Sequence, residues 1–258
     1  MTLTITKKLT RFWEIDALRG VAVILMVFYH LVWDLSYFGY YQANLLGGPW
    51  QTFARSIGST FIFLAGLSLT LSDTRYEQRT GQPAPFTKYL RRGAEIFGFG
   101  LAITVATYFF IGRGFVIFGI LHLLGASIIL AYPFLRLGRW VSLATGLLLI
   151  GLGIYLDGLV VSFPWLIWLG IKQQGIYMVD YYPLLPWFGL SLLGIFVGYT
   201  LYPRGTPRLA LPNLNPTLPV RGLRWLGQHS LPIYLIHQPV LLTLLMGFNF
   251  IFRGVVTS

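Results

Sequence analysis

The sequence contains no cysteine and few charged residues. Without cysteine among its 258 residues, the chain cannot form disulfide bonds, use a thiolate nucleophile or bind a metal through cysteine. Only 10% of the residues are charged, 55% are hydrophobic, and the mean hydropathy is +0.68. This composition excludes an ordinary soluble globular protein and is typical of a membrane protein.

Two further patterns are missing from the sequence. It has no HExxH motif or other close group of metal ligands, so we expect no metal site. It has no internal repeat of useful length, which argues against the inverted-repeat architecture of many transporters. The net charge of +11 is scattered among short loops, so we expect no binding to nucleic acid.

About seven apolar segments are long enough to cross a bilayer, which predicts an all-α, polytopic membrane bundle forming one domain over residues 1–258. The predicted spans are 15–38, 53–72, 91–111, 115–133, 140–157, 184–202 and 231–252. Between them we expect a charged connector at 73–90, an interfacial or re-entrant segment within 158–183, and an irregular proline-rich linker at 203–222.

The distribution of lysine and arginine predicts the orientation of the chain. With the N-terminus in the cytoplasm, 15 of the 19 basic residues fall on the inner side of the membrane. Only Arg55, Arg113, Lys172 and Arg253 fall outside. The positive-inside rule therefore predicts a cytoplasmic N-terminus, and we expect a multi-pass protein of the bacterial cytoplasmic membrane.

The first predicted span carries ionisable residues at membrane depth, where they are costly and usually functional. Arg19 and His30 are eleven residues apart, so both project from one helical face, separated by about 16 Å along the axis. His30 and Asp34 are four residues apart and are neighbours on that face. We expect Asp34 to orient the imidazole of His30 as a general base. The structural alternative is an interhelical hydrogen bond.

Distances from the predicted helix ends place four side chains in an outward-facing polar layer. We expect His122 and Asp180 to join His30 and Asp34 there and to bind or support an acceptor. Each has a structural alternative, because His122 could be a packing residue and Asp180 could cap a loop.

The same distances place Arg19 and His237 in an inner layer. Arg91 and Arg92, at the start of the third predicted span, would add positive charge there, strengthened by the helix dipole. The alternatives are that Arg19 extends to the headgroups and that His237 bonds a carbonyl freed by Pro239.

Two segments carry a resemblance to a known group of enzymes. The Arg-to-His spacing within EIDALRGVAVILMVFYH and the segment LGQHSLPIYLIHQPVLL (226–242) resemble the first and last helices of the transmembrane acyltransferases. That superfamily includes the heparan-α-glucosaminide N-acetyltransferase catalytic-domain family and the cell-envelope O-acyltransferases. The resemblance implies transfer of an acyl group from acyl-CoA to an extracytoplasmic or lumenal sugar.

We therefore predict a membrane acyltransferase that uses acetyl-CoA or another acyl-CoA as donor and a sugar or glycolipid as acceptor. Arg19, Arg91, Arg92 and His237 would bind the donor, and His30 with Asp34 would activate the acceptor. The alternatives are a proton-coupled transporter or permease that uses the intramembrane His and Asp residues, and an inactive membrane scaffold. The acceptor, the acyl length, N- versus O-transfer, an acyl-enzyme intermediate and homo-oligomer formation stay open.

Overall fold

The structure, a computed structural model, describes residues 12–45, 47–212 and 214–253 and is mainly α-helical, with almost no sheet. The helices are α1 Trp13–Tyr37, α2 Gly48–Thr80, α3 Phe86–Phe110, α4 Ile120–Leu130, α5 Phe134–Leu137, α6 Arg139–Leu156, α7 Leu184–Leu201, α8 Leu218–Gln228 and α9 Ser230–Arg253. A short parallel pair of strands joins β1 Val160–Val161 to β2 Lys172–Gln173. The all-α prediction is confirmed, whereas the inner-side prediction for Lys7, Lys8 and Arg11 lies outside the described residues.

Six helices of the described part are long and apolar enough to cross a membrane, namely α1, α2, α3, α6, α7 and α9. The predicted span 115–133 contains α4, whose 11 residues reach about 16 Å, short of a bilayer core of about 30 Å. Pro133 limits this helix, because proline lacks the N–H that would continue it. The polytopic prediction is confirmed, with six long helices and one shorter apolar helix in place of seven equal spans.

Two predicted connectors contain helix. The α2 helix continues through residues 73–80, and α8 begins inside the predicted linker 203–222. Hydropathy marks where a helix leaves the apolar layer, whereas the backbone can stay helical in polar surroundings. The last turns of α2 and the two arginines of α8 lower the hydropathy without breaking the helix.

The chain divides into two compact units, one of residues 1–61 with 211–258 and one of residues 62–210. The first unit contains α1, the start of α2, α8 and α9. The second contains the rest of α2 and the elements from α3 to α7. A single domain over residues 1–258 stays a prediction.

In the first unit, α8 packs antiparallel against the start of α1 through two glycines. A Cβ atom at Gly20 would lie 2.0 Å from the carbonyl oxygen of Leu223, and one at Gly227 would lie 1.8 Å from that of Asp16. Gln228 donates a 3.0 Å hydrogen bond to the Asp16 carboxylate beside this contact. Glycine is required at both positions because the two backbones touch.

The C-terminal half of α1 packs against the first turns of α2 through aromatic rings. Tyr29 lies 6.4 Å from Trp50 and 6.3 Å from Phe53, between ring centroids. The hydroxyl of Tyr29 also donates to the carbonyl of Leu45 at 3.2 Å. These contacts fix the segment of α1 that carries His30.

The second unit is also packed through glycines. A Cβ atom at Gly66 of α2 would lie 1.9 Å from the carbonyl oxygen of Ser191 in α7, and one at Gly194 would lie 2.2 Å from that of Phe63. Small residues allow this close packing of apolar helices, for which lipid provides no hydrophobic drive.

A partly buried ion pair ties α5 to the end of α2 in the second unit. Arg136 donates two 3.0 Å hydrogen bonds to the Asp73 carboxylate and one of 2.7 Å to the carbonyl of Ala84. Tyr89 donates to the same carboxylate at 2.6 Å. Asp73 is only 4% exposed, and this paired carboxylate anchors the turn between α2 and α3.

The segment 158–183, within which we expected an interfacial or re-entrant piece, contains β1, β2 and turns but no helix. Tyr181 closes it by donating a 2.9 Å hydrogen bond to the carbonyl of Ile167. Burial, with a smaller contribution from Asp157, raises the pKa of Tyr181 to about 12, so its hydroxyl stays a donor at neutral pH. Phe163, Trp165 and Trp168 are exposed, as expected of an interfacial segment.

Candidate functional site

Four polar side chains of α1 and α9 come together in the first unit. The ring centroids of His30 and His237 are 4.7 Å apart, with an angle of 67° between the rings. Asp34 accepts a 2.6 Å hydrogen bond from the Nε2 of Gln238. We call His30, Asp34, His237 and Gln238 the α1–α9 cluster.

The position of His237 corrects the sequence analysis, which placed it with Arg19 in an inner layer. That estimate assumed that the first and last helices begin at the same depth. His30 lies 17 residues after the start of α1, whereas His237 lies only 7 residues after the start of α9. The start of α9 is therefore displaced by ten residues relative to that of α1, or about 15 Å along the axis.

The partner of Asp34 also differs from the prediction. No hydrogen bond joins His30 and Asp34 within residues 12–45, and the carboxylate instead binds Gln238 of α9. The two side chains share a helical face, but α9 provides a closer donor. Sequence analysis missed Gln238 because an uncharged amide gives no signal by itself and lies 204 residues from its partner.

Three acceptor atoms of the cluster have no donor in the part of the chain that the structure describes. They are Oδ2 of Asp34, Nε2 of His237 and Oε1 of Gln238. The Nδ1 of His237 lies 2.7 Å from the carbonyl oxygen of Tyr234, so this nitrogen carries the proton and Nε2 keeps its lone pair in the neutral ring. Gln238 must turn its NH₂ group to Asp34, because only that end can donate to a carboxylate.

These three atoms define what the cluster can bind. Asp34 is 2% exposed and His237 is 8% exposed, so bulk water does not satisfy them. An unsatisfied buried polar atom costs about 1–3 kcal/mol, and a group of such acceptors therefore favours a ligand with O–H or N–H donors. The imidazole of His30, half-buried beside them, can accept a proton from such a ligand.

Arg19 lies near the opposite end of α1. Its guanidinium forms a 3.1 Å ion pair with Asp16, whose second carboxylate oxygen binds Gln228 of α8. Because α1 is a continuous helix over Arg19 and His30, the expected separation of about 16 Å along the axis applies.

His122 and Asp180 come together at the start of α4 in the second unit. Asp180 Oδ2 accepts a 3.0 Å hydrogen bond from the backbone N–H of Ile120, and His122 Nδ1 accepts one of 3.2 Å from that of Gly119. The Nε2 of His122 lies 3.4 Å from Thr104 Oγ1. These contacts fit the structural alternative for each residue, because they satisfy N–H groups that a helix start leaves open. A role in acceptor binding stays a prediction.

Arg91 and Arg92 lie away from the start of their helix. We expected them at the N-terminus of the third span, but α3 begins at Phe86, so they lie in its second turn. The attraction of the helix dipole weakens beyond the first turn. Both side chains are exposed, and Arg92 forms a 3.0 Å ion pair with Glu95.

Among the described residues, no three His, Asp or Glu side chains are close enough together to hold a metal ion.

The comparison with known protein families identifies the chain. A family model described as heparan-alpha-glucosaminide N-acetyltransferase, catalytic, matches residues 11–239. No curated protein and no solved structure matches the chain. The matched range contains the whole α1–α9 cluster, five of the six long helices and residues 230–239 of α9. The chain therefore belongs to the heparan-alpha-glucosaminide N-acetyltransferase catalytic family and is a multi-pass membrane acetyltransferase.

Proposed function

We propose that the protein transfers an acetyl or other short acyl group from cytoplasmic acyl-CoA to a hydroxyl or amine at the extracytoplasmic face. The acceptor is a sugar or glycolipid, the membrane is the bacterial cytoplasmic membrane, and His30 is the general base. The observation that carries this proposal is the set of three buried, unpaired acceptor atoms beside His30. An acceptor substrate brings the O–H or N–H donor that these atoms lack.

In the proposed reaction, His30 removes a proton from the acceptor as its oxygen or nitrogen attacks the thioester carbonyl. The tetrahedral intermediate collapses, the carbon–sulfur bond breaks, and CoA leaves as a thiolate. The imidazolium of His30 returns the proton to the thiolate, so the base is restored. Positioned proton transfer of this kind contributes about 10²- to 10⁴-fold to a rate.

His237 and Asp34 would support this base in different ways. The unpaired Nε2 of His237 belongs to the same cluster as His30, which supports proton relay between the two rings rather than the donor-binding role predicted from its depth. Asp34 would act through Gln238, since their hydrogen bond holds the segment of α9 that carries His237. Asp34 is thus proposed as a positioning residue.

The donor contacts stay predictions. Arg19 lies on the same helix as His30, about 16 Å away, and a pantetheine arm has to cross a similar distance between phosphates and thioester. The predicted phosphate contacts of Arg91 and Arg92 rest on their exposure and charge alone. His122 and Asp180 are proposed to support the site by fixing the start of α4.

Acetyl-CoA turnover by the purified protein tests the role of His30. We expect His30→Ala to lower CoA release at least about 100-fold, because the general base is lost. His229→Ala is the matched control, since this exposed histidine bonds only the carbonyl of Trp225 in the described structure and should be dispensable. If His30→Ala retains turnover within a few-fold of wild type, the assignment is wrong. Proton flux in vesicles without CoA release would support the transporter alternative.

A further inference from the structure

A groove of about 540 Å³ lies within the second unit, whereas the α1–α9 cluster belongs to the first. The groove is lined by the end of α2, the start of α6, the end of α7 and the turn that follows α7. The lining residues are Thr74, Glu77, Gln78, Arg139, Tyr199, Pro203 and Arg204. By the distribution of basic residues, these segments lie on the predicted cytoplasmic side. Arg204 belongs to the segment 203–222, which was predicted to be an irregular linker.

The turn after α7 holds Arg204 in an unusual conformation. Arg204 has a φ of 53°, the only positive φ of a non-glycine residue in the described ranges. Gly205 follows with a φ of 71°, and Gln78 donates a 2.6 Å hydrogen bond to the carbonyl of Arg204. Backbone strain of this kind persists only where the surroundings impose it, and it concentrates at ligand sites. The turn therefore fixes the backbone that carries the Arg204 side chain in the groove.

The charges of the groove favour an anion. Arg139 and Arg204 bring two guanidinium groups from separate segments, and neither forms an ion pair within the part of the chain that the structure describes. Glu77 contributes one carboxylate, so the lining keeps an excess of positive charge. Guanidinium groups bind phosphate through two parallel hydrogen bonds. Thr74 adds a hydroxyl group to the lining, whereas Tyr199 contributes its ring, because its hydroxyl donates to the carbonyl of Leu135 at 2.8 Å.

We propose that this groove binds a phosphate-bearing ligand through Arg139 and Arg204. Its volume falls within the range of small-molecule sites, about 300–1,000 Å³, and would accommodate a nucleotide or a lipid headgroup. Two cytoplasmic sources have this chemistry, namely the nucleotide of the acyl donor and an anionic lipid of the inner leaflet. If the ligand is the donor, the inference rests on the proposed function.

Binding measurements on the full-length chain separate these sources. Isothermal titration with adenosine 3′,5′-bisphosphate tests the nucleotide, and native mass spectrometry from nanodiscs of phosphatidylglycerol and phosphatidylcholine tests the lipid. For whichever probe binds, we expect Arg139→Gln and Arg204→Gln to weaken binding at least tenfold. Arg208 is an exposed arginine of the same segment that does not line the groove, so the Arg208→Gln variant should bind the probe with an affinity within twofold of wild type.

A second variant of Arg204 distinguishes loss of the guanidinium from misfolding of the turn. Arg204→Gly removes the guanidinium and suits the positive φ, so it should fold as wild type and still lose binding. Wild-type protein that binds neither probe, or Arg139→Gln and Arg204→Gln variants that bind normally, would overturn the inference. A protein that releases CoA in a His30-dependent manner but binds neither probe would overturn this inference alone and leave the proposed function intact.

Discussion

At the scale of single residues, the two histidines of the α1–α9 cluster constrain one another. Their rings are 4.7 Å apart, so two imidazolium charges would repel strongly at that distance. The carbonyl of Tyr234 fixes the ring of His237, which leaves its Nε2 available to the cluster.

Replacing His237 by asparagine tests whether this nitrogen takes part in proton transfer. The amide of the introduced asparagine could still bond the carbonyl of Tyr234, so the local fold should persist while the Nε2 acceptor is lost. We expect His237→Asn to lower kcat about 10- to 100-fold and to change the pH–rate profile. An unchanged kcat with a raised KM for acetyl-CoA would instead support the donor-binding role predicted from the sequence.

Gln238 is predicted to matter for stability as well as turnover. Gln238→Leu would remove the donor to Oδ1 of Asp34, and Oδ2 already has none, so neither oxygen of this buried carboxylate would have a donor. We expect the free energy of unfolding to fall by about 1–3 kcal/mol, measured by thermal unfolding in detergent. Adding Asp34→Asn, which removes the buried charge, should recover part of this loss.

Gln82→Leu is the control for that experiment, because Gln82 lies exposed in the turn between α2 and α3. It should leave the unfolding temperature unchanged. If Gln238→Leu behaves like this control, the bond between α1 and α9 does not hold the cluster.

At the scale of helices, the contact of α8 with α1 depends on the absence of side chains. Gly227→Ala would place a methyl group 1.8 Å from the carbonyl oxygen of Asp16, so the backbone would have to move to make room for it. Overpacking of this kind costs about 1–3 kcal/mol, so we expect a lower unfolding temperature and weaker turnover.

The same helix provides a matched control for that prediction. A Cβ atom at Gly222 has nothing within 4 Å, so Gly222→Ala should be tolerated. Alanine in place of a helical glycine stabilises by about 0.5–1 kcal/mol. Equal unfolding temperatures for the two variants would show that α8 does not pack on α1 in this way.

Hydropathy predicted the long helices well but predicted their ends and relative depths poorly. Apolar runs located α1, α6, α7 and α9 to within two residues at each end, because burial in lipid selects for such runs, whereas α3 begins five residues before its predicted start. The pattern missed α8, in which arginines and a glycine contact replace a continuous apolar run. It also could not reveal that α9 begins about 15 Å further along than α1, since that offset comes from packing.

The site likewise has features that the sequence could predict and features that it could not. The costly ionisable residues of α1 were identifiable from their depth alone, and Arg19 and His30 were correctly placed on one continuous helix. The meeting of His30 with His237, and of Asp34 with Gln238, depends on contacts between residues more than 200 positions apart. The ion pair of the buried Asp73 with Arg136 was missed for the same reason, since its partners also lie far apart in the sequence.

At the scale of the whole molecule, the lack of cysteine makes the predicted topology directly testable. Any single cysteine introduced into this chain is its only thiol. We expect Gln174→Cys, in the exposed outer segment, to react with a membrane-impermeant maleimide on intact spheroplasts. Gln82→Cys, in the exposed turn after α2, should react only after permeabilisation.

The cysteine-free wild type serves as the blank in this experiment, and activity confirms that each variant is folded. Labelling of Gln82→Cys in intact spheroplasts would reverse the predicted orientation. Each substrate would then have to enter the helix bundle from the end opposite to the one proposed here.

The three unpaired acceptor atoms of the α1–α9 cluster also determine which compounds should inhibit the protein. A competitive inhibitor needs hydrogen-bond donors in this position, as in an amidine, a hydrazide or an amino sugar. A carboxylate or sulfonate would meet Asp34 and lone pairs without bringing a proton. Screening for blockers should therefore start from cationic, amine-rich molecules, and anionic isosteres of the same size should be inactive.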